Sequence, residues 1–219
     1  MGKSTQGVFG NWWGKVGNVV GRVRQGRTVL SIYQPNVSNP RTAEQMAVRN
    51  RFSLLTKILS SVTTALAVGF KDLDGYKTGN YYSAAVGYNY KRNPFEVDQQ
   101  GNILIVPKDL MLSQGTLDLP FSPSANVDGE DITVSWSDNS GLGNASATDK
   151  VTIVCLNITK NQAVVNSAVA ERSSRTATVS VNGAWSGDQV AVYLFMTSDQ
   201  ASREDKSVSD STHLGTFTI

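Results

Sequence analysis

One histidine, one cysteine and 18 carboxylates are the residues of this chain that acid–base, nucleophilic or metal chemistry would have to use. A Ser-His-Asp arrangement must take His213, which lies in the Ser/Thr-rich segment Ser209–Gly215, and no G-x-S-x-G elbow precedes it. One His and one Cys do not make the N/S ligand set of a zinc site. Asp72-Leu73-Asp74-Gly75 begins like a calcium loop, but its twelfth position is Ser83 where a bidentate Glu is needed, so it reads as a polar turn. Lys3-Ser4 lacks the glycine loop and strand that precede it in a phosphate loop. Many carboxylate pairs are available for glycoside-type chemistry and none stands out. The expectation is a protein without catalytic site, cofactor or metal.

The basic residues carry more information. Lys15, Arg22, Arg24, Arg27 and Arg41 fall in a stretch without a single acid, beside Trp12, Trp13 and Tyr33. Cations next to aromatics suit phosphate contact with base stacking, and they suit equally a basic face turned toward another subunit. The net charge of +2 conceals a split. Residues 1–92 hold 13 Lys+Arg against 3 Asp+Glu, and residues 93–219 hold 7 against 15. Such a split speaks of partners: nucleic acid, an acidic protein surface, or the acidic half of a neighbouring copy in head-to-tail assembly.

These residues must be positioned by a glycine-punctuated N-terminal section. Lys15–Val20 and Arg27–Tyr33 are rich in β-branched residues, and the span Gly21–Gly26 between them predicts a hairpin with Arg22 and Arg24 at its tip. Gly10, Gly14, Gly17 and Gly21 recur at three or four residues, which suits close packing of such a ribbon. After the loop at 34–41, Thr42 and Gln45 form a capping box. Val48, Phe52, Leu55, Leu59, Val62 and Leu66 then mark one amphipathic helix of roughly six turns that stops before Gly69. A turn-rich loop covers residues 70–78. Asn80–Tyr90 allows a short helix or an extended segment, with the helix favoured, and Ile103–Val106 and Leu110–Ser113 predict strands separated by Pro107.

From about Pro120 the pattern becomes all-β. Ile132–Trp136 alternates, and Lys150–Ile158, Thr176–Val181, Gln189–Met196 and Thr216–Ile219 are further strands between short Gly/Asn/Asp/Ser clusters. The fold class expected is α+β: an N-terminal basic β-hairpin and long amphipathic helix, then a C-terminal antiparallel β-sandwich of immunoglobulin-like architecture. The division expected is 1–92 for hairpin and helices, 93–119 as connection and 120–219 as sandwich. Trp136 and Cys155 sit as an immunoglobulin core would place them, although the second cysteine is missing, so no intrachain disulfide forms. Cys155 reads as a small core residue. No signal-peptide pattern, no myristoylation motif at Gly2 and no run of about 18 apolar residues is present, so no membrane span is expected.

Gly14-Lys15-Val16-Gly17, Val19-Val20-Gly21, Pro35, and Asn39-Pro40-Arg41-Thr42 with Gln45 together form an opening that resembles an uncharacterised family common in Bacteroidota genomes and in the viruses that infect them. The likeness runs on through Asn80–Asn89, where Tyr82-Ser83-Ala84 departs from the pattern. Leu112-Ser113-Gln114-Gly115, Val134-Ser135-Trp136, Thr148-Asp149-Lys150, and Ser209-Asp210-Ser211 with Leu214-Gly215 continue it. The resemblance implies no established chemistry. With the missing signal, it implies a bacteriophage virion component, located in the virion or in the host cytoplasm before assembly. Its partners would be copies of itself and other virion proteins, with nucleic acid as a further partner. A nucleic-acid-binding protein working through Lys15, Arg22, Arg24 and Arg27, and a host surface or adhesion module, are the alternatives.

Overall fold

The computed structural model describes residues 3–4, 11–24, 26–36, 38–71, 80–198 and 208–219, and its chain divides into two units, 1–45 and 46–219. Gly2, Gly10 and the polar turn expected at Asp72–Gly75 lie outside the described residues.

The first unit is an antiparallel ribbon of β1 (Lys3–Ser4), β2 (Trp12–Val16), β3 (Val19–Arg24) and β4 (Arg27–Ile32), in that spatial order. The chain reverses at Gly17-Asn18, where Gly17 takes φ +59°, the left-handed backbone that a tight hairpin turn requires. Val19–Val23 then continues as strand. β3 and β4 form the expected basic hairpin, with Arg24 paired to Arg27 at its end, but the loop expected from Gly21 is strand as far as Arg24, so Arg22 lies within β3. Thr42 Oγ1 accepts from Gln45 N at 3.3 Å, the first half of the expected capping box.

The second unit holds most of α1 (Ala43–Ser61), then α2 (Thr63–Gly69) and α3 (Tyr81–Arg92). The stripe expected as one long helix is two helices, bent by 87°. No Gly or Pro causes the break. Ser60 and Ser61 hydroxyls bond back to the carbonyls of Lys57 and Ile58 at 2.6 and 2.8 Å, and β-branched Val62, Thr63 and Thr64 follow, so the last turn of α1 ends there. α3 is capped by Asn80, whose side chain accepts from Tyr82 N at 2.9 Å, and stops at Asn93 in left-handed conformation.

A short hairpin follows, β5 (Phe95–Val97) with β6 (Ile103–Ile105). Leu110–Ser113, expected as a strand, has no ladder. Side chains take the ladder's place: Asn89 Oδ1 accepts from Met111 N, Asn89 Nδ2 donates to Met111 O, and Ser211 Oγ accepts from Leu112 N, each at 2.8 Å.

Two antiparallel sheets then form the sandwich. One is β7 (Phe121–Asp128), β8 (Asp131–Ser137) and β11 (Thr176–Ser180), in spatial order β11-β8-β7. The other runs β10-β9-β12-β13, from β9 (Lys150–Asn157), β10 (Gln162–Glu171), β12 (Gln189–Thr197) and β13 (Thr212–Thr218). The two sheets enclose one core, in which Ile132, Val134, Trp136, Ile153, Cys155, Val192 and Leu194 are buried. The alternate residues of β9 and β12, among them Val154, Leu156, Tyr193 and Phe195, enter a second core with Leu55, Leu59, Leu66 and Phe70 of the helices. The helices thus cover the outer face of the four-stranded sheet, and its two central strands are buried on both sides.

Candidate functional site

Directly paired residues of an antiparallel ladder share a face, and the face alternates along each strand. In the first unit Lys15 pairs with Val20, Arg22 with Val29, and Arg24 with Arg27. The register therefore puts Lys15, Arg22, Arg24 and Arg27 on one face of the ribbon. Tyr33 belongs to it as well: its ring lies 3.4 Å from Lys15 Nζ, and its N–H donates to Asn18 O at 2.8 Å. Arg22 and Arg24, two residues apart on one strand, are spaced by roughly 6.6–6.8 Å. Among the described residues the ion pairs are Lys150–Glu171, Lys160–Asp188 and Arg172–Asp149, and none includes a ribbon cation. Like charges directly opposed across two strands destabilise the pair. Arg24 opposite Arg27 is therefore a local cost that an anionic partner would relieve.

The opposite face is apolar. Gly21 lies there against Trp12: a Cβ at this glycine would come within 2.8 Å of Trp12 Cε3 and 2.8 Å of its carbonyl oxygen. Val16, Val23, Leu30 and Ile32 share that face by register. They are 57, 48, 56 and 74 % exposed. Among the described residues 11–45 only Gly21 is buried. Trp13 is exposed. Arg41 lies in the segment before α1, outside the ladder whose register defines the cationic face. Of the residues singled out by sequence, the ribbon brings together Lys15, Arg22, Arg24 and Arg27 on one face and places Trp12 on the other.

Cys155, His213 and Tyr193 lie on neighbouring strands of the four-stranded sheet. Burial pushes the Cys155 thiol up to about 12, away from thiolate reactivity. The His213 ring leans on Tyr193, its Nε2 paired with Thr216 Oγ1 at 3.1 Å, and burial holds it below the ordinary imidazole value. Tyr193 donates to Pro107 O at 2.8 Å, and burial raises its hydroxyl pKa.

The motif residues converge on two buried polar clusters that sequence reasoning did not find. In the first, Arg172 Nη2 meets Asp149 Oδ2 at 2.9 Å and Asp118 O at 2.7 Å, while Nη1 donates to Asn139 Oδ1 at 2.6 Å. Trp136 Nε1 donates to the Arg172 carbonyl at 2.8 Å. Trp136 and Asp149, from two separate motifs, thus meet at one arginine that no motif contains. In the second, Ser113 donates to Ser209 O, Gly115 N donates to Asp210 Oδ1 at 3.1 Å, and Ser211 N donates to Ser113 O at 3.2 Å. A Cβ at Gly115 would collide with the Val208 carbonyl, so only glycine fits there. The first cluster pins the loop before β9 to the sandwich. The second joins residues nearly a hundred positions apart.

Fold and site together define an α+β protein with a basic, two-faced ribbon and a sandwich whose polar clusters are structural. The chain belongs to a family of unknown function, DUF6266, which it matches over residues 11–215. No curated protein matches it.

Proposed function

We propose that this chain is a non-catalytic structural or accessory protein of a virion that infects Bacteroidota, joined through its ribbon to copies of itself and to other virion proteins. The observation that carries this reading is the ribbon itself. One of its faces exposes Val16, Leu30 and Ile32, and the other bears guanidinium groups that no carboxylate among the described residues pairs. Both faces therefore suit contact with partners. The resemblance to proteins of viruses that infect Bacteroidota supports the virion as the place. The test is mass spectrometry of purified particles, with sedimentation of the isolated chain. The expected result is the chain at multiple copies per particle and an oligomer in solution. Absence from particles together with a monomer at every concentration overturns the reading.

A second reading has its own support. The four cations share one face with Tyr33 and no carboxylate, which suits a polyanion. Replacing Arg22, Arg24 and Arg27 with Gln is expected to weaken DNA retention. The log–log salt slope should flatten by about 0.9 for each phosphate that the variant no longer neutralises. Unchanged retention removes this reading.

A further inference from the structure

α1 and α3 leave a groove of about 570 Å³ between them, lined by Val48, Phe52, Val86, Gly87 and Tyr90, with Arg49 and Lys91 among its walls. Val48 and Phe52 are one turn apart on α1, and Val86 and Tyr90 one turn apart on α3. Gly87 contributes no side chain, so the space between the two helices stays open. The groove is thus apolar along its length and bears Lys91 in the last turn of α3.

The β5–β6 hairpin has the complementary form. Its root is fixed: Phe95 and Ile105 pack against the helical core, and Tyr90 meets Phe95 edge-on at 6.1 Å. Its outer part is not covered. Val97 and Leu104 are 58 and 51 % exposed, and Leu104 stands directly opposite Glu96. The turn is rigid. Asp98 Oδ1 accepts from Gln100 N at 3.0 Å and from Asn102 N at 2.7 Å, and Oδ2 accepts from Asn102 Nδ2 at 2.9 Å. A tip that holds its shape before contact loses little entropy on binding.

We propose that the groove between α1 and α3 receives the β5–β6 hairpin of a second copy of this chain. Leu104 and Glu96 share the outward face of the hairpin, which brings Leu104 to the apolar floor and Glu96 toward Lys91. Charge selects this occupant. The basic ribbon of a second copy offers exposed apolar side chains as well, but it brings Lys15, Arg22, Arg24 and Arg27 into the neighbourhood of another cationic surface. The hairpin brings an acid. The proposal rests on the reading that copies of this chain assemble, and it names a contact between them beside the one assigned to the ribbon.

The experiment is sedimentation equilibrium of the full chain, alone and as Lys91→Glu, Glu96→Lys and the double variant, with circular dichroism confirming that each is folded. Both sites are exposed, so folding is expected to survive. Each single reversal is expected to weaken self-association by about tenfold, and the double variant to recover most of it, because the opposite charges are restored in exchanged positions. Three results overturn the contact: a wild-type chain that stays monomeric at all concentrations, single reversals without effect, or a double variant no better than the singles. Loss of association in Ile32→Ser with Glu96→Lys unaffected identifies the ribbon as the occupant instead and also overturns it. The particle test separates the two readings. A chain found in particles whose association ignores residues 91 and 96 keeps the virion reading and loses this contact. A charge-swap rescue in a chain absent from particles keeps the contact and loses the virion reading.

Discussion

Ile32 in β4 and Leu194 in β12 are both apolar residues of antiparallel sheets, yet the first is largely exposed and the second is wholly buried. The sandwich covers both faces of β9 and β12, one with the second sheet and one with the helices. Among the described residues, the ribbon's own unit sets Trp12 against Gly21 and Tyr33 against Lys15 and leaves Val16, Leu30 and Ile32 exposed. A contiguous exposed apolar face of this kind marks an interaction surface. The sandwich therefore accounts for its own stability, and the ribbon is a surface whose form makes sense with a partner. Polar groups follow the same division. In the sandwich Arg172, Asp149, Ser113 and Ser209 are buried and bonded to one another's side chains or backbone in two clusters. In the ribbon the cations stand exposed and two of them oppose each other.

The largest expected effect lies in the first cluster. Arg172→Leu leaves the Asp149 carboxylate buried with its strongest partner gone, and removal of one member of a buried pair costs about 3–5 kcal/mol. Urea unfolding followed by tryptophan fluorescence reads this directly, since Trp136 is bonded to the Arg172 backbone. Arg172→Leu with Asp149→Leu should lose less, because no charge is left unpaired. If the single variant unfolds like wild type, the cluster does not hold the sandwich, and the contrast between buried and exposed polar groups fails.

The hairpin sharpens the comparison, since it belongs to the well-packed unit but is as exposed at its tip as the ribbon. Its order comes from Asp98. The side-chain and backbone hydrogen bonds from Asn102, with those from Gln100 and Gly101, hold this carboxyl below its ordinary value of 3.8. A depressed carboxyl stabilises the folded form above its ordinary value, and that contribution is lost as pH falls through the lowered one. Amide exchange at Gln100 and Asn102 should therefore be slow at neutral pH and quicken only as the pH drops below about 3.8. Asp98→Asn should show the quick exchange at all pH values. Fast exchange in the unaltered chain at neutral pH would mean that the tip is not preformed.

Much of this was legible in the sequence, and the misses have physical causes. β8 was readable because Ile132, Val134 and Trp136 alternate with polar residues, as a strand buried on one face must. β9 and β12 were readable as strands, but their runs Val151–Leu156, apolar apart from Thr152, and Val190–Met196 also announced a layer on each face. The expected sandwich left that helical layer unused. β7 was hidden by Ser122 and Pro123, where the register shifts, and β10 by the bulge at Ala168, whose φ is +54°. The helix break was hidden because serine back-bonding, not Gly or Pro, ends α1. The cations of the ribbon were visible as an acid-free run. Their common face was not, because it depends on where the chain turns. A loop spread over Gly21–Gly26 leaves Arg22 and Arg24 without a register, whereas a ladder that runs on to the Arg24–Arg27 pair fixes both on one face. Arg172 carried no signal at all, since nothing in the sequence says that a lone arginine will be wholly buried.

The smallest expected effect tests the comparison at its weaker side. Leu194→Ala should cost about 2–5 kcal/mol in the unfolding of residues 46–219, through the cavity it leaves between the sheets. Ile32→Ser should change the same unfolding by about 0.5 kcal/mol or less, as substitutions of exposed side chains do. Backbone amides should divide the same way, with β4 exchanging through local opening and β12 only through global unfolding. The quantity that Ile32→Ser should alter is instead the association of the ribbon with whatever covers Val16, Leu30 and Ile32. If Ile32→Ser destabilises the isolated chain as much as Leu194→Ala does, that face is already covered within one copy, and the ribbon is part of the core rather than a surface kept for a partner.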